Sequence, residues 1–355
     1  MAYTDIDDSS VHFQTALYAG NGSTQSITND GNSDMQPDWL WTKSRSDNSF
    51  HLVTDSTRGT GKRIYPNSNS AEESHSNMVT AFNSDGFSIG NHSAINTNNY
   101  NYVGWQWKAN GGTTASNSDG SITSTVQANQ DGGFSIVSYT GNATNNATVG
   151  HGLGAALSVL IIKDLSDGSV WGVWHKDLTN AGYRFNLSNA DAQTNDSGFM
   201  GGGNTTLPTS SVFSLGQGGG GNGNNAYIAY CFAEKQGYSK FGSYVGNGVN
   251  NNGPFVYLGF KPRFIMIKST TATGAHYMWD SKRSPFNGMD DYINAAEADA
   301  EGTNGILTID ALSNGFKVMN TGTNNGTNQS GTTYVYYAFA ENPFVTSTRI
   351  PTTAR

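Results

Sequence analysis

Strand-length apolar runs, rich in Val, Ile, Phe, Tyr and Trp, alternate along the whole chain with clusters of Gly, Asn, Asp, Ser and Thr. Such runs, bounded by turn-forming residues, predict β-strands. The runs also recur. Tyr18-Ala19-Gly20-Asn21-Gly22 returns as Tyr139-Thr140-Gly141-Asn142-Ala143 and again as Tyr244-Val245-Gly246-Asn247-Gly248. An apolar run ending in lysine follows each: Trp39-Leu40-Trp41-Thr42-Lys43, Val159-Leu160-Ile161-Ile162-Lys163 and Phe264-Ile265-Met266-Ile267-Lys268. Twelve residues after each lysine a further strand ends, at Asp55, His175 and Asp280. Then come Gly86-Phe87-Ser88-Ile89, Val212-Phe213-Ser214-Leu215 and Gly315-Phe316-Lys317-Val318. Aromatic strands close the series at Tyr102–Trp107, Tyr227–Phe232 and Tyr334–Phe339. Landmarks kept in one order three times imply a repeated building or binding unit rather than a single active site.

The pattern also orients the strands. The lysine runs are apolar on both faces, as expected of central strands covered on both sides. In the first closing strand, Tyr102, Gly104 and Gln106 share one face and Val103, Trp105 and Trp107 the other. Many short strands without βαβ alternation point to antiparallel sandwiches. The expected fold is therefore all-β, with three tandem antiparallel β-sandwich modules of jelly-roll or lectin-like type. Residues 1–11 read as an N-terminal arm ordered by a partner. The modules cover 12–109, 133–237 and 238–344, with a linker or extra hairpin at 110–132 and a tail at 345–355. The steps Asn83-Ser84-Asp85-Gly86 and Ser313-Asn314-Gly315 read as hairpin turns. Asp290–Ala298 is the best helical candidate, worth a turn or two.

Composition narrows the function. Charged residues make up only 13 % of the 355 residues and the net charge is −8, which argues against nucleic acid. The single cysteine, Cys231, excludes an intrachain disulfide and reads as an ordinary buried thiol. No signal peptide and no membrane-spanning run are legible, so synthesis in a cytoplasm and release by lysis are expected.

Chemistry-bearing groups are sparse. No carboxylate pair repeats as a glycosidase would need, and the seven histidines show no metal spacing. Asp164-Leu165-Ser166-Asp167-Gly168-Ser169 lacks the order of an EF-hand and reads as a turn. His175 and His276 read as partly buried rings beside loops. Asp55-Ser56-Thr57-Arg58 returns as Asp280-Ser281-Lys282-Arg283, but repeat 2 has His175-Lys176-Asp177-Leu178. A motif missing from one repeat is expected to be structural; the alternative puts Arg58 and Arg283 on a surface that meets a partner or a sugar acid. The tryptophans read as core. Tyr100, Tyr102, Tyr292 and Tyr334, near strand ends, are better placed to stack on sugars, and Tyr3 and Ile6 to anchor the arm in a partner. No catalytic, cofactor-binding or metal-ligating residue is assigned.

Leu17–Ser23, the strand Pro37–Lys43, Ser84–Phe87 and Ala338–Phe344 resemble the repeat modules of structural and tail-fibre-like proteins of tailed bacteriophages, of the marine and cyanobacterial phage type. The likeness runs from about residue 12 to 345, though Leu157 replaces Pro37 and Pro262 in repeat 2. The resemblance implies a virion structural protein, a tail-fibre or tail-attached component contacting the host surface, and carries over no catalytic residues. Capsid decoration or a capsid fibre is the runner-up, and a polysaccharide-degrading enzyme the reading from another class. Expected partners are other virion proteins, a host cell-surface glycan and further copies of the chain as a homo-oligomer.

Overall fold

The computed structural model describes residues 4–196, 198–201, 206–218, 220–303, 305–320 and 326–343. Strands make up nearly all of the regular structure; the helical pieces are the short turns Ser9–Val11 and Ser93–Asn96. The sheets are antiparallel, and none closes into a barrel.

One connectivity recurs three times. In each repeat an opening strand (Phe13–Ala19, Phe134–Thr140 and Ser239–Val245) pairs with the closing strand (Asn101–Trp107, Ala226–Phe232 and Thr333–Pro343). The closing strand pairs on its other side with the lysine strand (Trp39–Ser44, Val159–Asp164 and Phe260–Ser269). The lysine strand then pairs with a return strand (Leu52–Asp55, Gly172–His175 and Tyr277–Asp280). Register is kept as well. Trp39 faces Trp107 and Asp55, Val159 faces Phe232 and His175, and Phe264 faces Phe339 and Asp280.

A smaller outer sheet belongs to each repeat. It is Gln25–Ile27, Phe87–Ile89 and Val79–Phe82 in the first, Ala147–Gly150 with Val212–Leu215 in the second, and Phe255–Tyr257, Gly315–Val318 and Ile309–Leu312 in the third. In repeat 1, Leu40, Tyr102, Ile27, Phe87 and Ile89 fill the space between the two layers.

The recurring Tyr-x-Gly-Asn has a local cause. A Cβ on Gly20, Gly141 or Gly246 would lie 2.0–2.3 Å from a backbone carbonyl oxygen, so only glycine fits. Asn21, Asn142 and Asn247 each accept, through Oδ1, the N–H two residues on, closing an Asx turn. A buried Asn96, Asn222 or Asn328 then accepts the N–H of that turn asparagine at 2.8–3.0 Å.

The other face of each main sheet turns toward the other two repeats. One continuous apolar cluster runs from Ile6 to Ala340 and takes in Phe13, Trp39, Trp107, Phe134, Phe232, Phe264 and Phe339. At its centre are three equivalent aromatic residues of the closing strands. Trp107, Phe232 and Phe339 form a triangle with ring centroids 6.4, 5.8 and 5.5 Å apart. The three sheets therefore close around one aromatic axis and share a core.

One expectation, the helical one, is corrected. The helical candidate at 290–298 forms the short strand Ile293–Asn294, because Ile293 and Ala295 are drawn fully into the core. The arm, expected to be ordered by a partner, packs on the chain itself from residue 4 onward. Thr4 and Ile6 are buried against the chain's own core, and Asp8 caps the turn at Ser9–Val11. Residues 110–132 contain the edge hairpin Ala115–Asn117 and Ser124–Asn129, which extends the sheet of repeat 2. The tail 345–355 lies outside the described residues.

Truncating a ring of the axial triangle removes a filled site that no solvent can occupy cheaply. Trp107→Ala, Phe232→Ala and Phe339→Ala are each expected to cost about 3–5 kcal/mol in urea unfolding. The intact chain is expected to melt in one calorimetric transition, whereas repeats that folded separately would give several.

Candidate functional site

The polar residues singled out by the repeat pattern meet where one repeat touches the next. Three kinds of contact recur around the axis. The residue just before each return strand reaches a backbone carbonyl of a neighbouring repeat. His51 Nε2 lies 3.0 Å from Asn294 O, Trp171 Nε1 donates to Tyr65 O at 2.8 Å, and His276 Nε2 lies 3.3 Å from Asn186 O. His51 Nδ1 accepts the Trp41 indole N–H at 2.9 Å, so Nε2 carries the proton. Next, backbone N–H groups of Glu72, Gln193 and Glu301 donate to the carbonyls of Leu165, Thr270 and Arg45. Repeat 1 is thereby tied to repeat 2, repeat 2 to repeat 3 and repeat 3 to repeat 1, and the ring is closed.

The landmark lysines are the third contact, at two of the three junctions. Lys43, Lys163 and Lys268 are at most 1 % exposed, and their ammoniums donate to carbonyl oxygens instead of meeting water. Lys163 Nζ reaches Asn69 O of repeat 1 at 3.2 Å and Ser169 O at 2.8 Å. Lys268 Nζ reaches Ala190 O of repeat 2 at 3.0 Å and Gly274 O at 2.6 Å. Lys43 Nζ binds Ser44 O and Asp47 O. Burial pulls all three down to about 8; nearby carboxylates, Asp164 and Asp167 for Lys163 and Asp191 for Lys268, oppose the fall.

The Asp-Ser-x-Arg motif forms a buried ion triad at two of the three junctions. Asp55 Oδ2 accepts from Arg58 Nε at 2.6 Å and from Tyr230 Oη of repeat 2 at 2.7 Å, while Arg58 Nη1 donates to Glu72. Asp280 Oδ2 accepts from Arg283 Nε at 2.5 Å and from Trp105 Nε1 of repeat 1 at 3.0 Å, while Arg283 Nη1 donates to Glu301. Burial works against both guanidinium charges, but Asp55 with Tyr230 and Glu72, and Asp280 with Glu301, together more than offset it, and both pKa values rise. At the third junction His175 packs against Tyr337, 5.1 Å between centroids, with Nε2 3.3 Å from Tyr336 O.

The candidate contact residues are therefore mostly interior. Arg58 and Arg283 have side chains 5 % and 0 % exposed and do not form a surface, because each guanidinium is bound by two carboxylates inside a junction. Tyr102 and Tyr334 are buried, stacked on Tyr18 and Tyr244 within their own repeats, and are not available to a sugar. Tyr100 and Tyr292 are half-buried; Tyr100 packs on the core of repeat 1 and Tyr292 lies 5.6 Å from the Tyr277 ring. Ile6 is buried, and Tyr3 lies outside the described residues. His175 and His276 are fully buried rather than partly so. Glu72 and Glu301 lie 14 and 18 residues beyond the arginines they bind, too far for a local spacing rule, and the roles of Tyr230 and Trp105 were hidden because each pairs across repeats.

None of Asp55, Arg58, Glu72, Asp280, Arg283 or Glu301 lines either a small cavity beside Asp30, Arg263, Lys282 and Glu341 or a larger one in repeat 3. The larger, of about 220 Å³, is lined by Lys261, Ser281, Ser284, Phe286, Asn287 and Met289, with no carboxylate on its wall. Asp164 and Asp167 are taken up by turn N–H groups and by Asn225 Nδ2. Among the described residues, no cluster of His, Cys, Asp and Glu could hold a metal ion, and no helix is long and apolar enough to cross a membrane.

Fold and junctions together define an antiparallel all-β protein whose repeated sheets share one aromatic axis. The chain belongs to the family described as domain of unknown function DUF7483, whose profile matches residues 8–343. No curated protein and no solved structure matches it.

Asp280→Ala leaves Arg283 buried with one carboxylate fewer and is expected to cost about 3–5 kcal/mol in urea unfolding. Asp280→His combined with Arg283→Leu and Glu301→Gln, the residues of repeat 2, is expected to recover part of that loss. Acid supplies an independent test. His51 and His175 are held at about 3 by burial, against an ordinary value of 6.5, and His276 well below it. The unfolded chain binds protons at these rings below about pH 6.5 and the folded chain does not. Their contribution is thus full above pH 6.5 and shrinks as pH falls toward 3, by up to about 1.4 kcal/mol per ring per pH unit. The lysines act in the same direction at the alkaline end: held at about 8 against an ordinary 10.5, they lose their protons in the folded chain first, so stability rises with pH from about 8 toward about 10.5. Urea midpoints across pH check both slopes.

Proposed function

We propose that the chain is a virion structural protein of a tailed bacteriophage, a tail-fibre or tail-attached component that contributes to contact with the host surface. The observation that carries this reading is the closure of three like sheets around one aromatic axis within a single polypeptide. That arrangement gives one chain the outline of a trimer, and viral fibres and their docking sites are commonly threefold. Each repeat, with its main sheet and outer sheet, is read as a sandwich module of jelly-roll or lectin-like type. The commitment of Asp55, Asp280, Glu72 and Glu301 to junctions favours a binding or building role over catalysis. Other virion proteins and a host-surface glycan are the partners in this reading, and the working location is the particle released by lysis.

Gold-labelled antibody on purified virions is expected to mark the tail; label spread over the head would instead assign capsid decoration. Reducing ends released from host polysaccharide by the pure protein would overturn the non-enzymatic reading. The mass of the free protein tests the expected homo-oligomer against a monomer that serves as its own pseudo-trimer.

A further inference from the structure

The three repeats treat one sandwich edge differently. In repeat 2 the outer-sheet strand Ala147–Gly150 is covered along its free side by residues of the inserted hairpin. Ile122 bridges Val149 in parallel, Ile122 N donates to Thr148 O at 2.9 Å, and Ser124 Oγ donates to Gly150 O at 2.9 Å. The equivalent strand of repeat 3 is Phe255–Tyr257, since Val256 faces Phe316 as Val149 faces Phe213. Among the described residues it ends its sheet with no strand beyond it. Where repeat 2 has Thr148 and Gly150, repeat 3 has Phe255 and Tyr257, 47 % and 55 % exposed. Val245 and Val249, also among the few exposed large apolar residues, lie in the same repeat.

An unpaired edge carrying exposed aromatics invites strand addition, in which backbone hydrogen bonds give affinity and flanking side chains give selectivity. The charges at this edge point to one kind of occupant. Lys240 Nζ donates to Tyr257 O and lies 5.1 Å over the Tyr257 ring, and Lys317 stands opposite Phe255 and donates to Asn252 Oδ1. Neither ammonium is in an ion pair among the described residues, in a chain of net charge −8. We propose that the Phe255–Tyr257 edge is a docking site for an extended segment of a partner protein. That segment carries a β-branched apolar residue in the place Ile122 takes in repeat 2, flanked by acidic residues. The proposal does not depend on where the protein works.

The probe is a fluorescein-labelled peptide with the sequence of residues 119–126, which holds both Asp119 and Ile122. Its anisotropy with the full chain is expected to show saturable binding with a dissociation constant below about 1 mM. Phe255→Ser combined with Tyr257→Thr, the residues of repeat 1, is expected to weaken binding at least tenfold with the melting temperature kept. Lys240→Glu, a second variant that leaves the strand intact, is expected to weaken it several-fold, as is an Ile122→Asn peptide. Absence of binding, or binding indifferent to these changes, overturns the proposal. So does binding that appears only after residues 344–355 are removed, which would make the chain's own tail the occupant. A dimer that Tyr257→Pro converts to monomer would assign the edge to a second copy, and displacement of the peptide by host polysaccharide would assign it to a glycan; either overturns the peptide reading.

Discussion

Three rings meeting at one point constrain the rest of this molecule. Trp107, Phe232 and Phe339 are each at most 4 % exposed, and each is covered by rings from the other two repeats. A repeat alone would leave its ring, and the whole face behind it, in water. At about 25 cal/mol per Å² and roughly 150–250 Å² per ring, that exposure costs about 4–6 kcal/mol for each ring before the surrounding Trp39, Phe13 and Phe264 are counted. The remaining geometry follows. The closing strand must be central so that its end reaches the axis. The lysine strand beside it is then covered on both faces, and its lysine is forced to find carbonyl oxygens, two of the three lysines finding one in a neighbouring repeat.

Much of the single repeat was legible because its causes are local. Tyr-x-Gly-Asn marks a turn in which a Cβ would meet a carbonyl and an asparagine closes the next N–H, and both requirements fall within a few residues. Two-sided apolar lysine strands declared their central position through composition alone. What stayed hidden was the relation between repeats. Arg45 and Glu301 form an ion pair across 256 residues of sequence, and no periodicity announces such a pair. The alternative that put Arg58 and Arg283 on a surface, beside the structural reading, fails for a nearer reason. An arginine near a strand end reads as exposed until its two carboxylates, one of them 14 or 18 residues on, are placed beside it. Asp290–Ala298 misled in the opposite direction, since its helix formers are overruled by tertiary burial of Ile293 and Ala295.

The junctions are alike in backbone and unlike in side chains. All three use the carbonyl next to the return strand and the N–H seven residues beyond it. On that common frame two junctions carry an Asp-Arg-Glu triad and the third His175, Leu178 and Gln193 with Tyr337. Buried ion groups are weak evidence for stability, because desolvation consumes most of what the charges gain. Their clearer consequence is selective. An Asp55 aimed at Tyr230 Oη and an Asp280 aimed at Trp105 Nε1 would meet Tyr337 and His175 surroundings poorly if the repeats were permuted. The triads thus help to fix which repeat stands beside which, a problem that exists only because three similar units compete for the same places.

Carrying three units in one chain also releases each from the others' needs. In a homotrimer every sandwich edge would be identical, and an aromatic edge strand on one would be an aromatic edge strand on all. Here the edge in repeat 2 is sealed by a hairpin that the other repeats lack among the described residues. Near the corresponding edge in repeat 1, the polar loop at Gly31–Ser33 is tied to Gln14 of the opening strand. Only repeat 3 combines an uncapped outer strand with Phe255 and Tyr257 turned outward. Edge strands are usually blunted, because an open one recruits whatever strand is near. In repeat 1 the strand Gln25–Ile27 also ends its sheet among the described residues, but it places Ser26 and Thr28 where repeat 3 has Phe255 and Tyr257. The third edge, open and more apolar than the other two, is the place where the pseudo-symmetric ring has a direction.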